Sequence, residues 1–195
     1  MTEPEQKRLR SFIAIPLPEQ LRQELAVLSQ QLSSRVPELK PANMENLHLT
    51  LNFLGDQPAQ LLAKIGQSML SIGRNKRIFN VTLEGLGVFP HRRRPRVLWI
   101  GLEPQRELIQ LSRQLAKELE LLGAQIDVRP YHPHLTIGRF KQQPKQLKLL
   151  CPFLSHSCGT LKVDRMILFS SELTPRGAIH TPLTTAHFAG QCLLI

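Results

Sequence analysis

The tripeptide His-Leu-Thr occurs twice, at 48–50 and 134–136, and each copy closes the same succession of elements. In the first, residues 9–15 (LRSFIAI) read as a strand that stops at Pro16. Pro18 then opens a helix at a position where a missing N–H costs nothing. Leu21, Leu25, Leu28 and Leu32 follow at helical spacing. In the second, residues 96–102 contain the strand VLWIGL. Pro104 opens the strongest helical pattern of the chain, with Leu108, Leu111, Leu115, Leu119 and Leu122 on one stripe and Gly123 as its stop. The intervals from Ile15 to His48 and from Ile100 to His134 differ by a single residue. A repeated tripeptide is weak evidence, but the same tripeptide in the same register of strand, helix and strand indicates a duplicated unit. The expectation is two lobes whose His-Thr strands face each other across a cleft.

The rest of the pattern fits around those units. After the first His-Thr strand, Gly55 reads as a stop, Asp56 as a helix N-cap and Pro58 as part of a first helical turn. Leu62, Ile65, Met69 and Ile72 mark one face of that helix, and Gly73 reads as its end. Further strands are predicted at 78–86, 125–129, 134–140, 159–163, 165–171 and 179–188, with a weak helical stretch at 144–150.

A chain of 195 residues, 42% hydrophobic and 21% charged, can bury a core as one large domain or two small lobes, and it does not have the composition of a disordered chain. The opening residues MTEPEQKRLR lack an apolar leader core, and no apolar run approaches the roughly 18 residues of a membrane span. Three cysteines, Cys151, Cys158 and Cys192, make an odd set without CxxC spacing, which predicts reduced thiols and a cytoplasmic location. The formal net charge of +10 favours a polyanionic partner such as nucleic acid or an anionic membrane surface. Part of the excess is concentrated in HRRRPR at 91–96, read as a solvated loop between two strands.

The chemistry is suggested by the parity of LHLTLNFL at 47–54. Side chains alternate across a strand, so Leu47, Leu49, Leu51 and Phe53 share one face while His48, Thr50 and Asn52 share the other. Two imidazoles from opposed strands can supply a general base and a general acid near neutral pH. A threonine beside each offers a hydroxyl to a non-bridging phosphoryl oxygen. That set suits in-line displacement at phosphorus, with one histidine activating water and the other protonating the leaving oxygen, and no metal is required. Competing readings are poorer. His132 and His134 flank Pro133 without a nearby carboxylate, and Cys151, His156 and Cys158 match no zinc spacing. There is no glycine-rich phosphate loop and no GxSxG elbow.

The segments NLHLTLNFLG (46–55) and YHPHLTIGRF (131–140) resemble the paired HxTx motifs of the two-histidine phosphoesterase superfamily. SELTPRG at 171–177 is similar to a segment of its LigT-like branch, the RNA 2′,3′-cyclic phosphodiesterases. The resemblance implies an α+β, bilobal, pseudo-symmetric fold over 1–195 as a single two-lobed domain, with antiparallel sheets lining a central cleft and helices packed outside. It also implies hydrolysis of a terminal 2′,3′-cyclic phosphate on RNA to a 2′-phosphate. His48 then donates the proton to the 3′ oxygen and His134 accepts the proton of water, with Thr50 and Thr136 beside them. The branch is further associated with forming 2′–5′ linkages between tRNA halves. No cofactor, no metal, no membrane and a monomer are expected.

The resemblance places Asn52, Arg139 and His180 at substrate-binding positions, with departures. Relatives often carry a basic residue in place of Asn52, an aromatic near Met44 and a tyrosine in place of His180. By strict alternation Arg139 points away from His134 and reaches the cleft only through a bulge. Two rival readings remain at this stage: an esterase for a small cyclic nucleotide or 2′–5′ oligonucleotide, and a non-catalytic module that binds RNA ends. Intact His and Thr at all four motif positions argue against the second.

Overall fold

Phe12, Ile13, Ala14 and Ile15 form an apolar run without alternation, the pattern of a strand covered on both faces. In the computed structural model, which describes residues 8–126, 129–175 and 177–189, all four are buried and their strand is interior to a sheet. The elements in chain order are β1 (Arg8–Pro16), α1 (Glu19–Arg35), β2 (Leu39–Pro41), β3 (His48–Pro58), α2 (Ala59–Asn75), β4 (Phe79–Phe89) and β5 (Val97–Glu103), followed by α3 (Arg106–Leu121), β6 (His134–Phe140), β7 (Ser157–Val163), β8 (Arg165–Thr174) and β9 (Gly177–His187). Short 3-10 segments lie at Met44–Asn46 and Leu147–Phe153.

The strands form two antiparallel sheets, ordered β3-β1-β8-β9 and β2-β6-β5-β4-β7. The fold is therefore α+β. Each His-Thr strand pairs with the strand that opens its own repeat, β3 with β1 and β6 with β5. The leucine helices cross over. α1, from the first repeat, packs on β2, β6 and β7 of the second sheet, whereas α3, from the second, packs on β3 of the first. α2 covers β9, β3 and β8. One continuous apolar core joins both sheets and all three helices, with Leu25 and Leu32 of α1 and Leu108 and Leu111 of α3 fully enclosed. Among the described residues no helix is long and apolar enough to cross a membrane.

Several sequence expectations need correction. β3 does not stop at Gly55. That residue adopts a left-handed φ of 66°, and pairing with β1 resumes through Asp56 to Pro58, so Pro58 rather than Asp56 is the N-cap of α2. Gly73 does not end α2 either, since the helix continues to Asn75. A Cβ on Gly73 would lie 2.7 Å from the carbonyl oxygen of His187, so glycine there lets the helix sit against β9. The strand expected at 125–129 lies partly outside the described residues, and Gln125, Ile126 and Arg129 are irregular. The stretch at 144–150 is not an α-helix: its first three residues are irregular or turn, and the rest belongs to the 3-10 segment Leu147–Phe153, which carries Pro152. Cys151 and Cys158 are free thiols, one exposed and one buried, and Cys192 lies outside the described residues.

Candidate active site

The two His-Thr strands open onto one cavity of about 640 Å³, lined from one sheet by His48 and Thr50 and from the other by His134 and Thr136. The histidines stand at the first residues of β3 and β6, and both rings are held in the same manner. Nδ1 of His48 lies 2.6 Å from the carbonyl oxygen of Asn46, and Nδ1 of His134 lies 2.7 Å from that of His132. A carbonyl can only accept, so each Nδ1 carries hydrogen and each neutral ring keeps its lone pair on Nε2. Asn46 is itself fixed, donating from Nδ2 to the carbonyl of Ala178 on β9 at 2.7 Å.

The surroundings disfavour charge on both rings. His48 stacks on Phe12 at 4.6 Å between ring centroids, and Phe12 stacks in turn on Phe169. His134 meets the edge-on ring of Phe89 at 4.9 Å, with Trp99 beyond it. Burial pulls His48 from 6.5 down to about 4; the Asn46 carbonyl opposes that shift and the neighbouring His180 adds to it. His134 is lowered too, first by burial and then by the His132 ring, with the His132 carbonyl opposing.

Strict alternation fails immediately after each threonine, in the same way in both strands. Ala14 pairs with Thr50 but Ile13 pairs with Asn52, which leaves Leu51 as an extra residue. Trp99 pairs with Thr136 but Leu98 pairs with Gly138, which leaves Ile137 extra. A bulge of this kind exchanges the faces of the side chains that follow it, up to the next irregularity. Arg139 therefore lines the cavity, the outcome that strict alternation excluded. Asn52 is turned out of the row it was expected to share with His48 and Thr50. It is not part of the cavity lining, and its Nδ2 faces the carbonyl of Ser112 on α3 at 3.3 Å. Phe53 takes the opposite course: assigned from sequence to the core face, it is 57% exposed and lines the cavity. His180 also lies in the cavity wall, perpendicular to His48 at 5.3 Å.

Two residues that hold these bulges escaped the sequence reading. Ser29 of α1 donates to the carbonyl of Ile137 at 2.8 Å, and Ser112 of α3 donates to the carbonyl of Leu51 at 3.0 Å. Both serines are buried, and each reaches the bulge residue of the other repeat's strand. A buried carbonyl without a donor costs about 1–3 kcal/mol, which these hydroxyls avert. The signal was present as Leu-Ser-x-Gln-Leu, at 28–32 and again at 111–115. A serine on the leucine stripe of an amphipathic helix is a polar group that must find a buried partner.

Arg10, Lys40, Arg129 and Arg139 also line the cavity, and no Asp or Glu is found among its described lining residues. The site is thus a cationic cleft around two imidazoles and two hydroxyls, suited to an anion. Of the SELTPRG segment, Ser171 and Leu173 contribute to the wall, and Thr174 closes the β8–β9 turn by donating to the Gly177 carbonyl at 2.7 Å. The arginine loop at 91–96 is exposed apart from Pro95, and it springs from Phe89, the ring that meets His134. Among the described residues there is no cluster of three or more His, Cys, Asp or Glu side chains placed to hold a metal.

The chain is similar in sequence and in fold to known proteins. The chain is 34% identical over 179 residues to an RNA 2′,3′-cyclic phosphodiesterase of Methanothermobacter thermautotrophicus, covering 90% of this chain and 97% of that one. The crystal structure of TT0787 of Thermus thermophilus superposes with a TM-score of 0.78 at 29% identity, covering 94% of this chain and all of that one. Escherichia coli LigT complexed with 3′-AMP superposes at 0.75 and 26% identity, covering 94% and 99%. The family model of the 2′-5′ RNA ligase superfamily matches residues 17–174, a span that takes in both His-Thr strands and the crossed helices. By that match, and by relatives alike over nearly their full length, the chain belongs to the 2′-5′ RNA ligase superfamily.

Proposed function

We propose that this chain, acting as one two-lobed phosphoesterase domain, hydrolyses the terminal 2′,3′-cyclic phosphodiester of RNA to a 2′-phosphomonoester by metal-independent acid–base catalysis. The observation that carries the reading is the pairing of His48 and Thr50 with His134 and Thr136 in one cationic cavity, each imidazole anchored through Nδ1. Nε2 of His134 takes a proton from water as the water oxygen bonds to phosphorus. The bond from phosphorus to the 3′ oxygen breaks, and that oxygen receives the proton from Nε2 of protonated His48. The Thr50 and Thr136 hydroxyls donate to the non-bridging oxygens as their charge grows. Arg139, carried into the cleft by its bulge, and His180, edge-on to His48, bind the nucleotide around the phosphate. With an RNA 5′ hydroxyl in place of water, the same displacement forms a 2′–5′ linkage. Names of relatives that act on RNA, together with the four lining cations, favour an RNA end over a small cyclic nucleotide.

Protonation supplies the test. A pH profile of kcat/KM reports the free enzyme, and one of kcat reports the complex. Both rings are lowered in the free cleft, His48 to about 4 and His134 below 6.5, so both limbs of the kcat/KM bell should fall below pH 6.5. The limbs belong to the coupled pair rather than to either ring. A bound phosphodiester anion stabilises imidazolium and raises both values. The kcat bell should therefore sit at higher pH than the kcat/KM bell. A kcat/KM profile without two limbs, or a kcat bell displaced toward acid, would count against paired histidine catalysis.

A further inference from the structure

The arginine loop at 91–96 is a motif that the cleft leaves unused. Arg92, Arg93, Arg94 and Arg96 are all exposed, and among the described residues none of their side chains forms an ion pair or a hydrogen bond. The backbone beneath them is nevertheless fixed. The N–H of Arg96 donates to the Phe89 carbonyl at 2.7 Å and closes the base of the loop, where Pro95 is buried. The N–H of Arg94 donates to the carbonyl of His91 at 3.1 Å, and Nε2 of Gln143 donates to the carbonyl of Arg93 at 2.6 Å. Like charges held together on a pinned backbone repel one another, and an anionic partner relieves that cost.

The roots of the loop assign it to one side of the reaction. Phe89, at one root, meets His134 edge-on at 4.9 Å. The carbonyl of Arg96, at the other, accepts from the N–H of Phe140, the neighbour of Arg139 in β6. Both contacts lie in the sheet that carries His134, not in the one that carries His48. In-line displacement gives these two sides different groups to accommodate. The 3′ oxygen of the cyclic-phosphate nucleotide lies toward His48, and the nucleophile enters opposite it, over His134. Water brings no phosphate to that side, whereas an RNA 5′ hydroxyl brings a chain of them.

We infer that the loop at 91–96 is the docking surface for an RNA strand whose 5′ hydroxyl attacks the cyclic phosphate, and so sets how far that strand competes with water. The inference rests on the phosphodiesterase reading above. Guanidinium groups fork onto phosphate oxygens, and such contacts carry no sequence information, so the strand is selected by length and charge rather than by base. The step balances as hydrolysis does. The 5′ oxygen bonds to phosphorus and its proton passes to Nε2 of His134. The bond from phosphorus to the 3′ oxygen breaks, and that oxygen takes the proton of His48, leaving a 2′–5′ linkage.

The experiment uses 5′-O-methyladenosine 2′,3′-cyclic phosphate, which has no upstream chain and no 5′ hydroxyl of its own. It is offered two acceptors, adenosine and a decamer of oligoadenylate with a free 5′ hydroxyl. The ratio of 2′–5′-joined product to 2′-phosphate is measured for wild type and for the triple variant Arg92→Gln, Arg93→Gln, Arg94→Gln, with thermal unfolding followed alongside. In wild type the decamer should give joined product at much lower concentration than adenosine. Three phosphate contacts, at about 0.7 counterion released for each, should raise the decamer's half-saturating concentration about 20-fold between 50 and 200 mM salt. The triple variant should fold, hydrolyse at the wild-type rate without acceptor, and lose both the preference for the decamer and its salt dependence. A folded variant that keeps that preference, or a wild type that hydrolyses the cyclic phosphate but joins neither acceptor, would overturn the docking surface and leave the phosphodiesterase reading in place. A wild type that opens neither this substrate nor a cyclic-phosphate-ended RNA would overturn that reading, and the docking surface with it.

Discussion

Replacing either His48 or His134 with alanine is expected to lower turnover of a 2′,3′-cyclic phosphate by roughly 10²–10⁴, the range for losing one general acid or base. Neither change should unfold the protein. Both rings stand at the cleft surface and are only half-buried, and the Nδ1 contact each loses is to a carbonyl that can turn to water. The two losses are distinguishable. A substrate whose leaving group is better than the ribose 3′ oxygen needs no proton from the enzyme, so it should restore much of the rate in His48→Ala and little in His134→Ala. Rescue in His134→Ala instead would exchange the two roles. A variant keeping more than half of wild-type activity would remove its histidine from the mechanism.

The second large effect is expected at the threonines. Thr50→Val or Thr136→Val should reduce kcat by roughly 10²–10³, the cost of one oxyanion donor. Valine has nearly the volume of threonine and suits a strand at least as well, so the change removes the hydroxyl and little else. KM should move less than kcat, because the hydrogen bond strengthens only as charge accumulates on the non-bridging oxygens. The pH profile should keep both limbs, since the two imidazoles remain. A loss confined to KM would make the hydroxyls ground-state anchors rather than transition-state donors.

What could be read from the sequence, and what could not, divides at the bulges. The alternation of Leu47, Leu49 and Leu51 against His48 and Thr50 is a property of any strand with one buried face, so both motif pairs and their common cleft were legible. An extra residue leaves no mark in composition. Leu51 and Ile137 are ordinary core residues, so strict alternation put Asn52 beside His48, put Phe53 on the apolar face and turned Arg139 away from His134, its place in the cleft depending on a bulge; the structure breaks the alternation at all three. The crossing of α1 and α3 to opposite sheets was likewise invisible in a leucine stripe, which marks a buried face without naming its partner. Ser29 and Ser112 were a legible clue to it, because two buried hydroxyls at the same place in two helices need matching acceptors.

The central claim is that two histidines and two threonines open a cyclic phosphate without help from a metal. Its most direct test is turnover of an RNA ending in a 2′,3′-cyclic phosphate, measured in excess EDTA, with the position of the product phosphate identified. The account predicts a rate unchanged by chelation and a 2′-phosphate as the sole product. A rate abolished by EDTA and restored by a divalent cation, or a product bearing the phosphate on the 3′ oxygen, would contradict it.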